Sequence, residues 1–152
     1  MVEEKMKLLL ISLISFFCLN LHAGDNSTEI RTKGSSTVIY IDQIGTSNTV
    51  RVWCGLSEGT YTTHKCKNAT IDIDQDGTGN TARAYSQVAN HTGNEYKIDQ
   101  DGNDNFGYID ADDDSNDMDI IQDGNNNDAE IYMQGDDNVY KITQTGDNKE
   151  GE

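Results

Sequence analysis

The sequence predicts an all-β protein, a β-solenoid of stacked strand-turn-strand rungs of about 22 residues, each made of two 11-residue half-repeats. Three observations carry this expectation. Isoleucine recurs at every eleventh position, glutamine and glycine follow it at fixed offsets, and turn-forming residues close each unit. A fixed period of this kind is the signature of a repeat architecture, and it outweighs a composition that by itself resembles a disordered chain: 34% hydrophobic, 25% charged and no proline.

The units can be read off in order. Ile98, Ile109, Ile120, Ile131 and Ile142 are each 11 residues apart. Two places after each stands Gln100, Ala111, Gln122, Met133 or Gln144, and two further on Gly102, Asp113, Gly124, Gly135 or Gly146. Asn105, Asn116, Asn127 and Asn138 close four units, and the fifth ends one residue early at Asn148. Two copies lie nearer the front: Ile41, Gln43, Gly45, Asn48 and Ile73, Gln75, Gly77, Asn80. Between them Val50, Val52 and Cys54 stand 11 residues after Ile39, Ile41 and Gln43, followed by about ten extra residues that carry Cys66. A smaller irregularity separates Asn80 from Asn94, where 14 residues replace 11.

An 11-residue period also fits a right-handed helical supercoil. Glycine, asparagine and further turn formers in every period exclude it. Each unit therefore reads as a strand of about five or six residues and a tight turn, with alternate residues on one face. Ile71, Ile73 and Gln75 face inward, as do Tyr96, Ile98 and Gln100, then Met118, Ile120 and Gln122, then Tyr140, Ile142 and Gln144. Two such strands arched against each other bury the apolar rows, and stacking the arches about 4.8 Å apart pairs every backbone group except those at the two ends. Inward glutamines are expected to form an amide ladder, and asparagine with glycine to supply left-handed turn angles.

The flanks differ in character. Lys5 and Lys7 precede the apolar run Leu8–Leu19, and Ala23 offers a small residue at a cut point, so residues 1–23 read as a secretory signal peptide. Residues 24–36 are a polar lead-in, 37–148 the solenoid with an insertion at 49–69, and 149–152 an acidic tail. Cys54 and Cys66 are expected to close the insertion as a disulfide in an oxidising compartment.

Charge is uneven. Residues 24–98 hold 8 acidic and 7 basic side chains, whereas 99–152 hold 17 and 2. Nothing here neutralises a row of phosphates, so a nucleic-acid partner is excluded. Asp72, Asp74, Asp76 and Gly77 spell the DxDxDG that opens a helical calcium hand, but the twelfth position is Arg83 instead of a bidentate acid and no flanking helix is predicted. The cluster Asp110, Asp112, Asp113, Asp114, Asp117 and Asp119 reads as a solvated face, with weak sharing of divalent cations between rungs as the sharper alternative. Trp53 is outward by parity, the histidines are scattered, and no paired nucleophile and base occurs. The expectation is neither an enzyme nor a cofactor binder.

On these residues the chain resembles the curlins, the subunits of bacterial curli fibres. Gln75, Gly77, Asn80 and Ala82, and again Gln122, Gly124, Asn127 and Ala129, match the centre of the family repeat. Gln43, Gly45 and Asn48, and Gln100, Gly102 and Asn105, match without the alanine. The resemblance covers residues 37–148. Departures are the closing glutamine, displaced at Gln87 and Gln134 and replaced by Ala111 and Cys54, together with the cysteine-closed insertion and the acidic tail.

The resemblance implies a secreted subunit that crosses the inner membrane and is held unfolded by periplasmic chaperones. It would then leave through a dedicated outer-membrane channel and polymerise with itself, and with a second curlin subunit, into extracellular cross-β fibres for biofilm and adhesion. Outward Tyr40, Tyr85, Tyr108 and Tyr132 are the expected contact residues. The alternative is a monomeric secreted acidic solenoid that binds calcium or a surface ligand.

Overall fold

Strands run up the molecule in steps of one rung, each lying parallel to the strand before it. The computed structural model describes residues 15–22, 24–32, 34–54, 66–86, 91–111 and 114–151, and among these there is no helix. The elements are β1 (Ser15–His22), β2 (Ser27–Glu29), β3 (Gly34–Ser35), β4 (Thr37–Thr46), β5 (Thr49–Arg51), β6 (Cys66–Lys67), β7 (Thr70–Thr78), β8 (His91–Thr92), β9 (Glu95–Asn103), β10 (Asp117–Asn125) and β11 (Val139–Thr145).

The long wall is a six-stranded parallel sheet, β1-β4-β7-β9-β10-β11. Its register puts like on like: Ile41, Ile73, Ile98, Ile120 and Ile142 form one column, and Gln43, Gln75, Gln100, Gln122 and Gln144 the next. This is an all-β, β-solenoid fold whose regular rungs repeat at a sequence separation of 22. The two irregularities in the period leave the stack undisturbed. Gln43 meets its partner at a separation of 32 and Gln75 at 25, so each excess is absorbed before the next long strand begins. The bodies of the two excess segments, 55–65 and 87–90, lie outside the described residues.

The opposite wall is built differently. There β2 pairs with β5, the two-residue strands β3, β6 and β8 form a short three-stranded parallel sheet, and a line of single bridges runs through Thr49, Thr81, Phe106, Asp128 and Glu150. The sequence predicts equal half-units; the structure makes them unequal. Left-handed backbone at Cys54, Ala84, Ser86 and Ala111 takes these segments out of the extended conformation after two or three residues. Their inward side chains still close the core: Val50, Val52, Ala82, Ala84, Ile109, Ala129 and Ile131 face Ile39, Ile41, Ile71, Ile73, Tyr96, Ile98, Met118 and Ile120, all 4% exposed or less. Each isoleucine so buried contributes about 1.5–3 kcal/mol, which is how strands too weak to stand alone are held.

The corners also differ from the expectation. Left-handed angles fall on the residue before each corner asparagine, namely Ser47, Gly79, Asp104 and Asn126, and not on Asn48, Asn80, Asn105 or Asn127. Asn148 belongs to that left-handed column (φ 55°), so the last unit is not short; Lys149 occupies the slot where earlier rungs have asparagine. Glycine is required at Gly77 and Gly102, with φ of +126° and +121°, because a Cβ on either would collide with the carbonyl oxygen of the next glycine in the column, Gly102 or Gly124.

Gly102→Ala combines that collision with a left-handed angle. It is expected to lower stability by about 2 kcal/mol or more, read as a lower urea midpoint by circular dichroism, whereas Gly151→Ala at the edge of the stack shifts the midpoint far less.

Candidate functional site

The features with functional consequence are the polar columns inside the stack and the two ends where those columns stop. Gln43, Gln75, Gln100 and Gln122 each donate from Nε2 to the Oε1 of the glutamine one rung on, at 2.9, 2.8, 2.8 and 2.8 Å. The second Nε2 hydrogen of Gln75, Gln100, Gln122 and Gln144 goes across the core to a carbonyl of the opposite wall: Thr49, Thr81, Phe106 and Asp128 respectively. A buried primary amide left unpaired costs about 1–3 kcal/mol, so the ladder fixes register as strongly as the isoleucines do.

The asparagine column is a second clamp. Asn48 Oδ1 accepts from the Asn80 backbone N–H, Asn80 Oδ1 from Asn105 and Asn105 Oδ1 from Asn127, at 3.0–3.1 Å. Nδ2 of Asn48, Asn80 and Asn105 reaches the carbonyl of Gly77, Gly102 and Gly124 on the following rung. At the other corner Asn116 and Asn138 repeat the pattern, with Asn116 Nδ2 donating to Gly135 O at 2.9 Å. The sequence assigns these asparagines to turn geometry. Their larger role is to tie one rung to the next, which only the stacked register reveals.

The columns break at the ends. Asn127 Nδ2 is buried with no partner, on the rung beneath Lys149. Above it Tyr140 is 50% exposed and Val139 75%, although Tyr140 shares a column with Tyr96 and Met118, both 1% exposed or less. At the other end Ser27–Glu29 lies on β5, Asn26 Oδ1 accepts from the Asn48 N–H, and Thr28 Oγ1 donates to Gln43 Oε1. The segment read as a polar lead-in thus supplies half a rung. β1, within the segment expected to be removed as a leader, lies on the edge of β4 in the same register as every internal pair.

Cys54 and Cys66 form the disulfide, with Cα atoms 5.6 Å apart and both side chains buried. Outside the core, Trp53 packs on Tyr85 (4.1 Å between ring centroids), and Tyr85 meets Tyr108 edge-on at 5.5 Å. Arg31 and Arg51 approach the Trp53 ring, and Arg83 lies over Phe106. This packing buries Tyr85, which removes it from the exposed contact residues expected from parity. Tyr40 and Tyr132 remain exposed at 42% and 59%. Burial, reinforced by the hydrogen bond to Asp110, holds the Tyr108 hydroxyl protonated far above its ordinary range.

The acidic cluster disperses over the molecule. Asp110 accepts from Tyr108 on the short wall, Asp114 accepts from the Thr92 N–H at a corner, and Asp119 meets Lys141 on the long wall. Asp112 and Asp113 lie outside the described residues. Among the described residues no three His, Cys, Asp or Glu converge as metal ligands. Asp72, Asp74 and Asp76 point outward from β7, and Asp42, Asp74 and Asp99 stack in one column. Burial raises the Asp74 pKa above its usual 3.8, and the charges of Asp99, Asp42, Asp72 and Asp76 push the same way.

The curlin associated repeat matches residues 114–146, which run from the corner before β10 through β11 to Gly146. Comparison with curated proteins and with solved structures gave no match.

Two outcomes follow from this geometry. Because the folded chain holds the Asp74 proton more tightly than the unfolded chain, its contribution favours folding below pH 3.8 and is lost as pH rises through the raised pKa. Asp74→Asn is therefore expected to raise the urea midpoint at pH 7, with the gain vanishing below about pH 3.8. Cys54→Ser with Cys66→Ser opens a loop with a sequence separation of 12. It should cost about 2–3 kcal/mol, matched by adding a reductant to the unaltered protein.

Proposed function

Because residues 114–146 match the curlin associated repeat, we propose that the chain is a curli-type structural subunit that is secreted and assembles end to end into extracellular cross-β fibres, a scaffold for biofilm and surface adhesion. The observation that carries the reading is the pair of parallel strands at the two ends of the repeat, β11 at one edge of the sheet and β4, which becomes the other edge once the leader strand β1 is removed, bearing the same Ile-x-Gln row in the same register. Unpaired parallel edges recruit further strands, and here each recruited copy extends a glutamine ladder already four bonds long.

Export follows the same proposal. Residues 1–23 act as a leader, periplasmic chaperones keep the chain unfolded, and a curli-type outer-membrane channel releases it. A second curlin subunit is a fitting partner for starting the fibre. The exposed Tyr40 and Tyr132, with the charged rows beside them, supply contacts to surfaces.

The net charge of −16 slows association and keeps the free subunit soluble. Chain 24–152, purified and left at neutral pH in salt, is expected to give unbranched fibrils with the two cross-β reflections, at about 4.8 Å and about 10 Å. Growth should quicken in higher salt, with divalent cations, and toward the pI of about 4.2. A protein that stays monomeric under all of these conditions, folding only when calcium is added, is incompatible with the proposal.

A further inference from the structure

We infer that neighbouring copies join through one shared rung: β11 of one copy supplies its long wall, and Asp25–Thr32 of the next supplies its short wall. The inference rests on the assembly reading above and specifies the joint. Four observations meet in it.

The first is that the edge of β4 accepts a parallel strand in the repeat's own register, since β1 is seated there with Leu19 opposite Ile41 and Leu21 opposite Gln43. Cleavage after Ala23 vacates that place. β11 carries the matching row, which sets Ile142 opposite Ile41 and Gln144 opposite Gln43 of the next copy.

The second is that the two ends are complementary in shape. With β1 gone, the front of the chain presents a short-wall segment, Ser27–Glu29 on β5, with no long-wall strand at its level. The back presents a long-wall strand, β11, whose inward Tyr140 is half exposed. Ile30 of the incoming copy, inward and already packed against its own core, closes over that position.

The third is the broken asparagine column. Lys149 donates its backbone N–H to Asn127 Oδ1 but brings no side-chain amide to carry the column a rung further. Asn26 sits in that column at the front of the chain, clamping Asn48 as Asn48 clamps Asn80. Placed over Asn127, it continues the column across the joint. To make room, residues from Asn148 onward leave the rung, which also removes Glu150 from its bridge beside Asp128.

The fourth is charge. The incoming front half is close to neutral, with 8 acidic and 7 basic side chains in residues 24–98, while the back half carries 17 acidic and 2 basic. Front-to-back joining avoids the repulsion that back-to-back joining meets.

Cysteine cross-linking tests the joint. In the shared rung Thr143 of one copy stands opposite Asp42 of the next, both on the outer face, within reach of a disulfide. Within one chain they lie on different rungs of a six-stranded sheet, too far apart to bond. Fibres of chain 24–152 carrying Thr143→Cys and Asp42→Cys, mildly oxidised, are expected to give a ladder of covalent multimers on a non-reducing gel that collapses to monomer with reductant. Thr143→Cys paired with Tyr40→Cys, two residues out of register, gives little. Fibres that form but cross-link only in the slipped pair, or through Thr143→Cys alone, overturn the shared rung and leave the assembly proposal standing. Should the unaltered chain form no fibres, both fall.

Discussion

A primary amide buried in an apolar interior has to find partners, and in this molecule the partner is the same amide one rung away. Five glutamines share one column: Gln75, Gln100 and Gln122 each donate once along the stack and once across it, Gln43 donates along it and Gln144 across it. A slip of one residue would turn every one of them out and bring in outward neighbours such as Asp74, Asp99 or Thr143. A slip of two would leave glutamine facing isoleucine, which can neither donate nor accept. The apolar rows supply most of the driving force, but isoleucine columns tolerate sliding in a way that amides do not.

That constraint explains which departures from the period are tolerated. Cys54, Ser86, Ala111 and Met133 all stand where the half-unit period wants glutamine, and all fall on the short wall, where no amide ladder runs. There the requirement is only to be small or apolar and to let the backbone turn left-handed. The cysteine uses this freedom, bonding to Cys66 and so anchoring the insertion on the short wall, where extra residues do not disturb the long one.

The outer surface carries the opposing term. Stacking identical rungs stacks identical charges, and Asp42, Asp74 and Asp99 are one such column, with Asp74 shifted toward its protonated form by burial and, after that, by its charged neighbours. Lys97 and Lys141, beside Asp99 and Asp119, relieve part of this. A subunit that must stay soluble alone and stack when concentrated is served by repulsion that salt can screen. The acidic half therefore opposes the ladder without altering its register.

Much of the architecture was legible in the residue order. The period, the inward identity of isoleucine and glutamine, the disulfide partners and the false calcium motif all follow from local alternation and spacing, because a strand's side-chain period of two is fixed by covalent geometry. The sequence could not separate the two half-units, since Ala111 and Gln100 occupy equivalent places in the repeat and differ only in which wall they build. Nor could it show that the corner asparagines clamp rungs, that Tyr85 is covered by Trp53 and Tyr108, or that Asn26 belongs to a column beginning before the first recognisable repeat. Spacing along one chain states which residues are alike. Contacts between successive rungs, far apart in the chain, decide what each like residue meets, and those separations close only when the whole stack has formed.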